Sequence, residues 1–67
     1  MHMLRTNLRG VRQARGMTQS ALAGLVGVRR ETIIRLENGK YNPSLKLAMD
    51  IAKVFGTSVE ELFGFED

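Results

Sequence analysis

Residues 18–45 read TQSALAGLVGVRRETIIRLENGKYNPSL, and this stretch decides the fold. It holds two short amphipathic segments separated by Gly27, the second and third helices of the five that the chain suggests. Thr18 is a good N-cap, because its hydroxyl can accept from an orphan amide of the first turn. "QSALAGLV" then turns Leu22, Ala23 and Val26 inward. Gly27 stops the helix, since glycine takes the left-handed conformation that a tight turn requires. The third helix is expected over about Arg30 to Asn38, with Ile33 and Leu36 inward, Glu37 at the edge and Gly39 at the end. Spacing matters as much as residue type. A small Ala23 lets the third helix cross the second closely, Gly27 makes the sharp turn, and Val28, Ile33 and Leu36 fill the angle between them.

Upstream, Leu4, Leu8, Val11 and Arg15 fall on one stripe at the helical period, beside a cationic stripe of Arg5, Arg9 and Arg12. This predicts a first helix over about residues 4–15, ended by Gly16, in which Gly10 costs about 1 kcal/mol relative to alanine. Downstream, "KYNPS" reads as a loop. Pro43 pushes Asn42 away from helical geometry, and Ser44 can cap a fourth helix over about Leu45 to Phe55. That helix puts Leu45, Ala48, Ile51, Ala52 and Phe55 on one face, widened by Leu47 and Val54, and ends at Gly56. "SVEE", Ser58 to Glu61, is a capping box opening a short fifth helix through Leu62 and Phe63. No strand is expected, and there is no repeat, linker or low-complexity segment. The expected fold class is therefore all-α: one compact five-helix domain over residues 1–67, with its central helix pair at about 18–38.

Sixty-seven residues bury only about 60% of their unfolded surface, so the stability margin is thin. Without cysteine there are no disulfides or thiolate metal sites, and one histidine makes no metal cluster. No apolar run approaches the roughly 18 residues of a membrane span, and no secretory signal is present. A cytoplasmic protein is expected. The second methionine, Met3, suggests the native start, with Met1-His2 a cloning remnant and residues 1–3 a tag or disordered start; His2 is assigned no function. Charge is unevenly spread. Residues 1–40 carry eight Arg/Lys against Glu31 and Glu37, a net +6, whereas residues 41–67 carry two lysines against five acids, a net −3. The first part suits a polyanion partner and the tail suits something else.

With Arg12, Gln19, the "ENGK" loop and the trailing "AKVFGTSVEELF", the opening stretch strongly resembles the Cro/repressor-type (XRE-like) helix-turn-helix DNA-binding domains. The resemblance runs from Leu8 to Leu62. It implies a lambda-repressor-like fold and a third helix that enters the DNA major groove, where each base pair shows a distinct hydrogen-bond pattern. On a helical wheel Arg30, Glu31, Ile34, Arg35 and Asn38 share the outward face, opposite Ile33 and Leu36. The resemblance thus makes Arg30, Glu31, Ile34 and Arg35 the expected base readers. Arg29 at the helix start, Thr18 and Gln19 at the start of the second helix, and Asn38, Lys40 and Tyr41 in the following loop are the expected phosphate contacts. Such contacts position the protein without specifying sequence.

Some alternatives stay open. Many relatives carry glutamine where this chain has Glu31; a carboxylate there reads cytosine, orients a neighbouring arginine, or repels wrong sequences. Glu31 and Arg35 also form an i,i+4 pair of the kind found on any solvated helix. Ile34, where a polar residue is commoner, is a thymine-methyl contact or a tolerated exposed apolar residue. Lys40 is otherwise a solvated lysine, and Tyr41 a partly buried ring. Arg12 and Glu37 match a partly buried salt bridge that in the family ties the first helix to the third, while Arg5 and Arg9 are expected to face solvent, the alternative being a phosphate contact.

One such helix reads only a few base pairs, so a homodimer on half-sites about 34 Å apart is expected. Val59, Leu62, Phe63 and Phe65 are its expected interface, with Leu47 and Val54 as a further extension, the alternative being that Phe63 caps the core and Phe65 frays. The expected function is a sequence-specific double-stranded DNA-binding transcriptional regulator, a repressor. The alternative is a DNA-binding antitoxin or protein-interaction module acting with an unidentified protein partner. No enzyme is expected: there is no cysteine, usable histidine or glycine-rich phosphate loop, and capping explains Glu60-Glu61. Neither cofactor, metal nor membrane contact is expected.

Overall fold

The computed structural model describes residues 3–66; Met1 and His2, with the expected cloning remnant, and Asp67 lie outside the described residues. The order of elements is β1 (Met3–Thr6), α1 (Leu8–Ala14), α2 (Gln19–Val26), α3 (Arg30–Glu37), α4 (Leu45–Phe55), α5 (Val59–Leu62) and β2 (Phe63–Glu66).

The middle helices start and stop where their end chemistry demands. The Thr18 hydroxyl accepts from the Ala21 amide at 3.0 Å to open α2, and Gly27 closes it in the left-handed conformation at φ 72°. The Ser44 hydroxyl accepts from the Leu47 amide at 3.1 Å to open α4. Ser58 and Glu61 form the reciprocal capping box of α5. Around the α2–α3 crossing, Leu8, Leu22, Ile33, Leu36, Ile51 and Leu62 are fully buried. Each side chain removed from water in this way stabilises the fold by about 1.5–3 kcal/mol.

At both chain ends the all-α expectation is corrected. Residues 3–6 and 63–66 form a two-stranded antiparallel sheet, with Leu4 opposite Phe65 and Thr6 opposite Phe63. The first helix therefore begins at Leu8 rather than at residue 4, the fifth ends at Leu62, and Met3 belongs to a strand instead of an unstructured start. The cause is long-range pairing. Leu4, Leu8 and Val11 fit a helical stripe, yet Leu4 reaches the core as well from a strand whose ladder partner lies some sixty residues on. At the junction, the Thr6 hydroxyl accepts from the Leu8 amide at 3.1 Å. The Asn7 backbone amide donates to the Leu62 carbonyl at 2.9 Å, and its side-chain amide donates to the Glu61 carbonyl at 3.0 Å.

Leu45 is also corrected. Ser44 is the N-cap, so Leu45 is the first residue of α4; it is 74% exposed, and Leu47 occupies the core instead. Gly39 joins the sheet to the helices. Its φ is 70°, and a Cβ there would lie 2.9 Å from the Leu4 carbonyl oxygen, so a side chain would push β1 off the turn after α3. Among the described residues no helix is long and apolar enough to cross a membrane.

Candidate nucleic-acid interface

The exposed side of the α2–α3 unit rests on one buried carboxylate. The Glu37 side chain, at the last residue of α3, has no solvent exposure and accepts hydrogen bonds from three residues on two other helices. Arg12 of α1 donates through Nε to Oε2 at 2.6 Å and through Nη2 to Oε1 at 3.1 Å. Gln19, the first residue of α2, donates through Nε2 to Oε1 at 3.1 Å, and Arg9 of α1 donates through Nε at 3.4 Å. Arg12 also donates through Nη1 to the Met17 carbonyl at 2.8 Å. Burial pushes the Glu37 carboxyl up, but the bonds from Arg12 and Gln19, the Arg12 charge and the Arg9 bond outweigh it, holding Glu37 below the usual carboxylate range. The same contact raises the Arg12 guanidinium, chiefly through its hydrogen bond to Glu37. The expected salt bridge between the first and third helices is therefore present, and it is the hub of a wider network.

That network reaches the surface at two points. With its Nε2 held by Glu37, Gln19 turns Oε1 outward to accept from Arg30 Nη2 at 3.3 Å. Arg30, exposed on the first turn of α3, is thereby tethered through Gln19 to the core. Arg9 Nη2 donates to Asn38 Oδ1 at 2.9 Å, which leaves the Asn38 amide group as a donor to whatever lies outside. Arg9 was expected to face solvent; it is half-exposed, but both ends of its guanidinium are in use. Its spacing was the available signal, because Arg9 lies three residues before Arg12 on the same stripe and so meets the same acid.

Arg9, Thr18, Gln19 and Arg30 line a cleft of about 660 Å³ between α1 and the start of α2. The positive end of the α2 dipole and two guanidinium groups converge there, an arrangement that favours an anion. Further along, Glu31 and Arg35 are exposed and Ile34 is half-buried. The i,i+4 ion pair of Glu31 and Arg35 is not made, and among the described residues neither side chain has a hydrogen-bond or ionic partner. Arg29, exposed at the N-cap of α3, makes no side-chain cap. Lys40 and Tyr41 are exposed in the loop after α3, whose turn is closed by the Lys40 amide on the Arg35 carbonyl at 2.9 Å. Cations thus dominate one continuous side of the domain, from Arg9 across α3 to Lys40.

Of the expected dimer residues, Leu62 and Phe63 are corrected: Leu62 is fully buried and Phe63 is 7% exposed, because both complete the core beneath α4 and β1. Val59 is half-buried, and Phe65 does not fray: it pairs with Leu4 in the sheet while its side chain stays 61% exposed. Phe65 lines an apolar groove of about 300 Å³ with Leu4, Pro43, Leu45 and Val59. Leu45 at 74% and Met49 at 52% extend that apolar surface along α4.

A DNA-binding reading of this geometry agrees with what the chain is related to. The helix-turn-helix family model matches residues 8–62. An uncharacterized HTH-type transcriptional regulator of Archaeoglobus fulgidus is 59% identical over 64 residues, covering 96% of this chain and 91% of that protein. One from Methanocaldococcus jannaschii is 48% identical over 64 residues, covering 96% and 97%. Among solved structures, the restriction-modification controller protein C.AhdI of Aeromonas hydrophila superposes with a TM-score of 0.76 at 36% identity, over 84% of this chain and 85% of that one. The chain belongs to the XRE-type helix-turn-helix family of DNA-binding transcriptional regulators.

Proposed function

We infer that the protein is a sequence-specific regulator, a repressor, that binds an inverted-repeat operator as a homodimer with one α3 in the major groove of each half-site. The observation that supports this most is the tether from the Arg12–Glu37 core through Gln19 to Arg30. It holds a guanidinium at a fixed place on an exposed helix, as bidentate reading of guanine O6 and N7 requires. In this reading Arg30, Glu31, Ile34 and Arg35 meet base edges. Thr18, Arg29, Asn38, Lys40 and Tyr41 grip phosphates, and Gln19 braces Arg30 while its helix end faces an anion.

Domain size supports the dimer. Half-sites one helical turn apart put each α3 about 17 Å from the two-fold axis, which suits a body of 32 × 22 × 20 Å joined through a flank. The apolar groove of Leu45, Met49, Val59 and Phe65 is such a flank: it lies on α4, α5 and β2, whereas α3 packs on α1 and α2. The neighbouring cleft between α4 and α5, which shares Val59 with the groove, is lined by both Lys53 and Glu60, so a second copy turned by a two-fold axis can meet complementary charge there.

The test is selection from random duplex DNA, followed by titration of the winner at several salt concentrations. Enrichment of an inverted repeat, with half-sites one turn apart and affinity falling steeply with salt, is the expected result. Binding to any duplex without enrichment would overturn sequence-specific reading and favour a regulator that needs a protein partner.

A further inference from the structure

Among the described residues, Glu31 is the one acid on the cationic side with a free carboxylate. Of the other described acids, Glu37 is saturated by Arg12, Gln19 and Arg9, Glu61 closes a capping box, Asp50 pairs with Lys46, and Glu66 lies 3.9 Å from Arg5. Glu60 has no partner among the described residues either, but it sits on α5, outside the α2–α3 unit. Glu31 has Arg30 beside it and Arg35 one turn on, and it bonds neither; Arg30 turns instead to Gln19. Glu31 lies in the first turn of α3, at the positive end of the helix dipole. A charged acid left open on a surface that faces a polyanion is unfavourable unless it meets a donor there.

The major groove offers that donor selectively. A carboxylate presents only acceptors. Cytosine shows the N4 amino donor, whereas adenine sets its N6 donor beside the N7 acceptor. Guanine shows two acceptors, and thymine an acceptor and a methyl group. An acceptor-only group therefore ranks cytosine first, adenine second, and guanine and thymine last.

We propose that Glu31 is a specificity-determining residue that selects cytosine at one position of each half-site and rejects guanine and thymine there. This rests on the reading of α3 as the base-reading helix. Arg30 and Arg35, which present only donors, select guanine, so the α3 surface as a whole calls for G·C pairs, with Ile34 suited to a thymine methyl.

The experiment is parallel in-vitro selection with the wild type and Glu31→Gln at one salt concentration, followed by competition with operators altered at single positions. Glu31 is exposed, so the substitution removes no hydrogen bond or ion pair among the described residues. The wild type is expected to require one cytosine per half-site, and replacing that base should weaken binding roughly 5- to 150-fold. Glu31→Gln is expected to switch that position to adenine, whose N6 and N7 suit an amide, and to leave the others unchanged. A motif that Glu31→Gln reproduces with its cytosine intact would overturn the role of Glu31 alone. No motif from either protein would overturn the reading of α3 and this proposal with it.

Discussion

Replacing Glu37 with alanine is expected to cost far more than an ordinary salt bridge. Four N–H groups point at its carboxylate, two from Arg12 and one each from Gln19 and Arg9. Removing it leaves the Arg12 guanidinium, whose side chain is only 10% exposed, as a buried charge without a counter-ion. Breaking a buried pair in this way costs about 3–5 kcal/mol, against roughly 0–1 kcal/mol for an exposed pair. A domain of this size has a total stability of roughly 3–10 kcal/mol, so Glu37→Ala removes a large share of it. The melting temperature should fall by about 12–40 °C. Urea unfolding of the wild type, Arg12→Met, Glu37→Leu and the double variant tests the origin of that cost. If the cost is a stranded charge, the double variant, with no charge to strand, should be more stable than the summed single losses imply, by about 2 kcal/mol or more. Some loss should persist, since the Met17 carbonyl and Gln19 also lose partners. A Glu37→Ala cost below about 1 kcal/mol, or strictly additive single variants, would refute the reasoning.

Three further outcomes follow from the same geometry. The folded-state pKa of Glu37 is depressed, so its contribution is complete above the unfolded value of about 4.3 and is lost as pH falls through the folded value. Stability measured by urea titration should be nearly flat from neutral pH to about 5 and should decline below about 4.3 more steeply in the wild type than in Glu37→Gln. Gly39→Ala should destabilise by about 1–3 kcal/mol, because φ is 70° and the new Cβ would meet the Leu4 carbonyl. Gly10→Ala, in open space within α1, should instead stabilise by up to about 1 kcal/mol; equal melting temperatures for the two variants would contradict this account. Leu45→Glu, at a residue that contributes little to the core, should leave melting of the monomer nearly unchanged, shift sedimentation towards monomer and weaken operator binding. An unaltered dimer would rule out this flank as the interface.

What the sequence made legible, and what it hid, divides by the range of the interactions. The bounds of α2 and α4 match their expected positions because Thr18, Gly27, Ser44 and Gly56 act within one turn of their own positions. The Arg12–Glu37 bridge was legible only through resemblance, since nothing local joins residues 25 apart. The strands escaped notice for the same reason. Met3–Thr6 is too short to show a period, and its hydrogen bonds come from the opposite end of the chain. Leu62 and Phe63, at the expected end of the fifth helix, were expected at a dimer interface because the strand beside them comes from the opposite end of the chain. Once β1 and β2 pair, however, their inward face brings Leu4 and Phe63 into the core, next to the fully buried Leu62.

The sheet also links the two halves of the proposed function. β1 passes beneath Gly39, which follows the Asn38 held by Arg9, while β2 carries Phe65 into the apolar groove. The turn on the DNA side and the groove are therefore built on one pair of hydrogen-bonded strands. A substitution that unpairs the strands should weaken the operator contacts of each monomer and the dimer together, whereas Leu45→Glu, outside the sheet, should weaken operator binding only through loss of the dimer. If strand-breaking changes at residues 4–6 lowered DNA affinity and left self-association intact, the coupling would be absent.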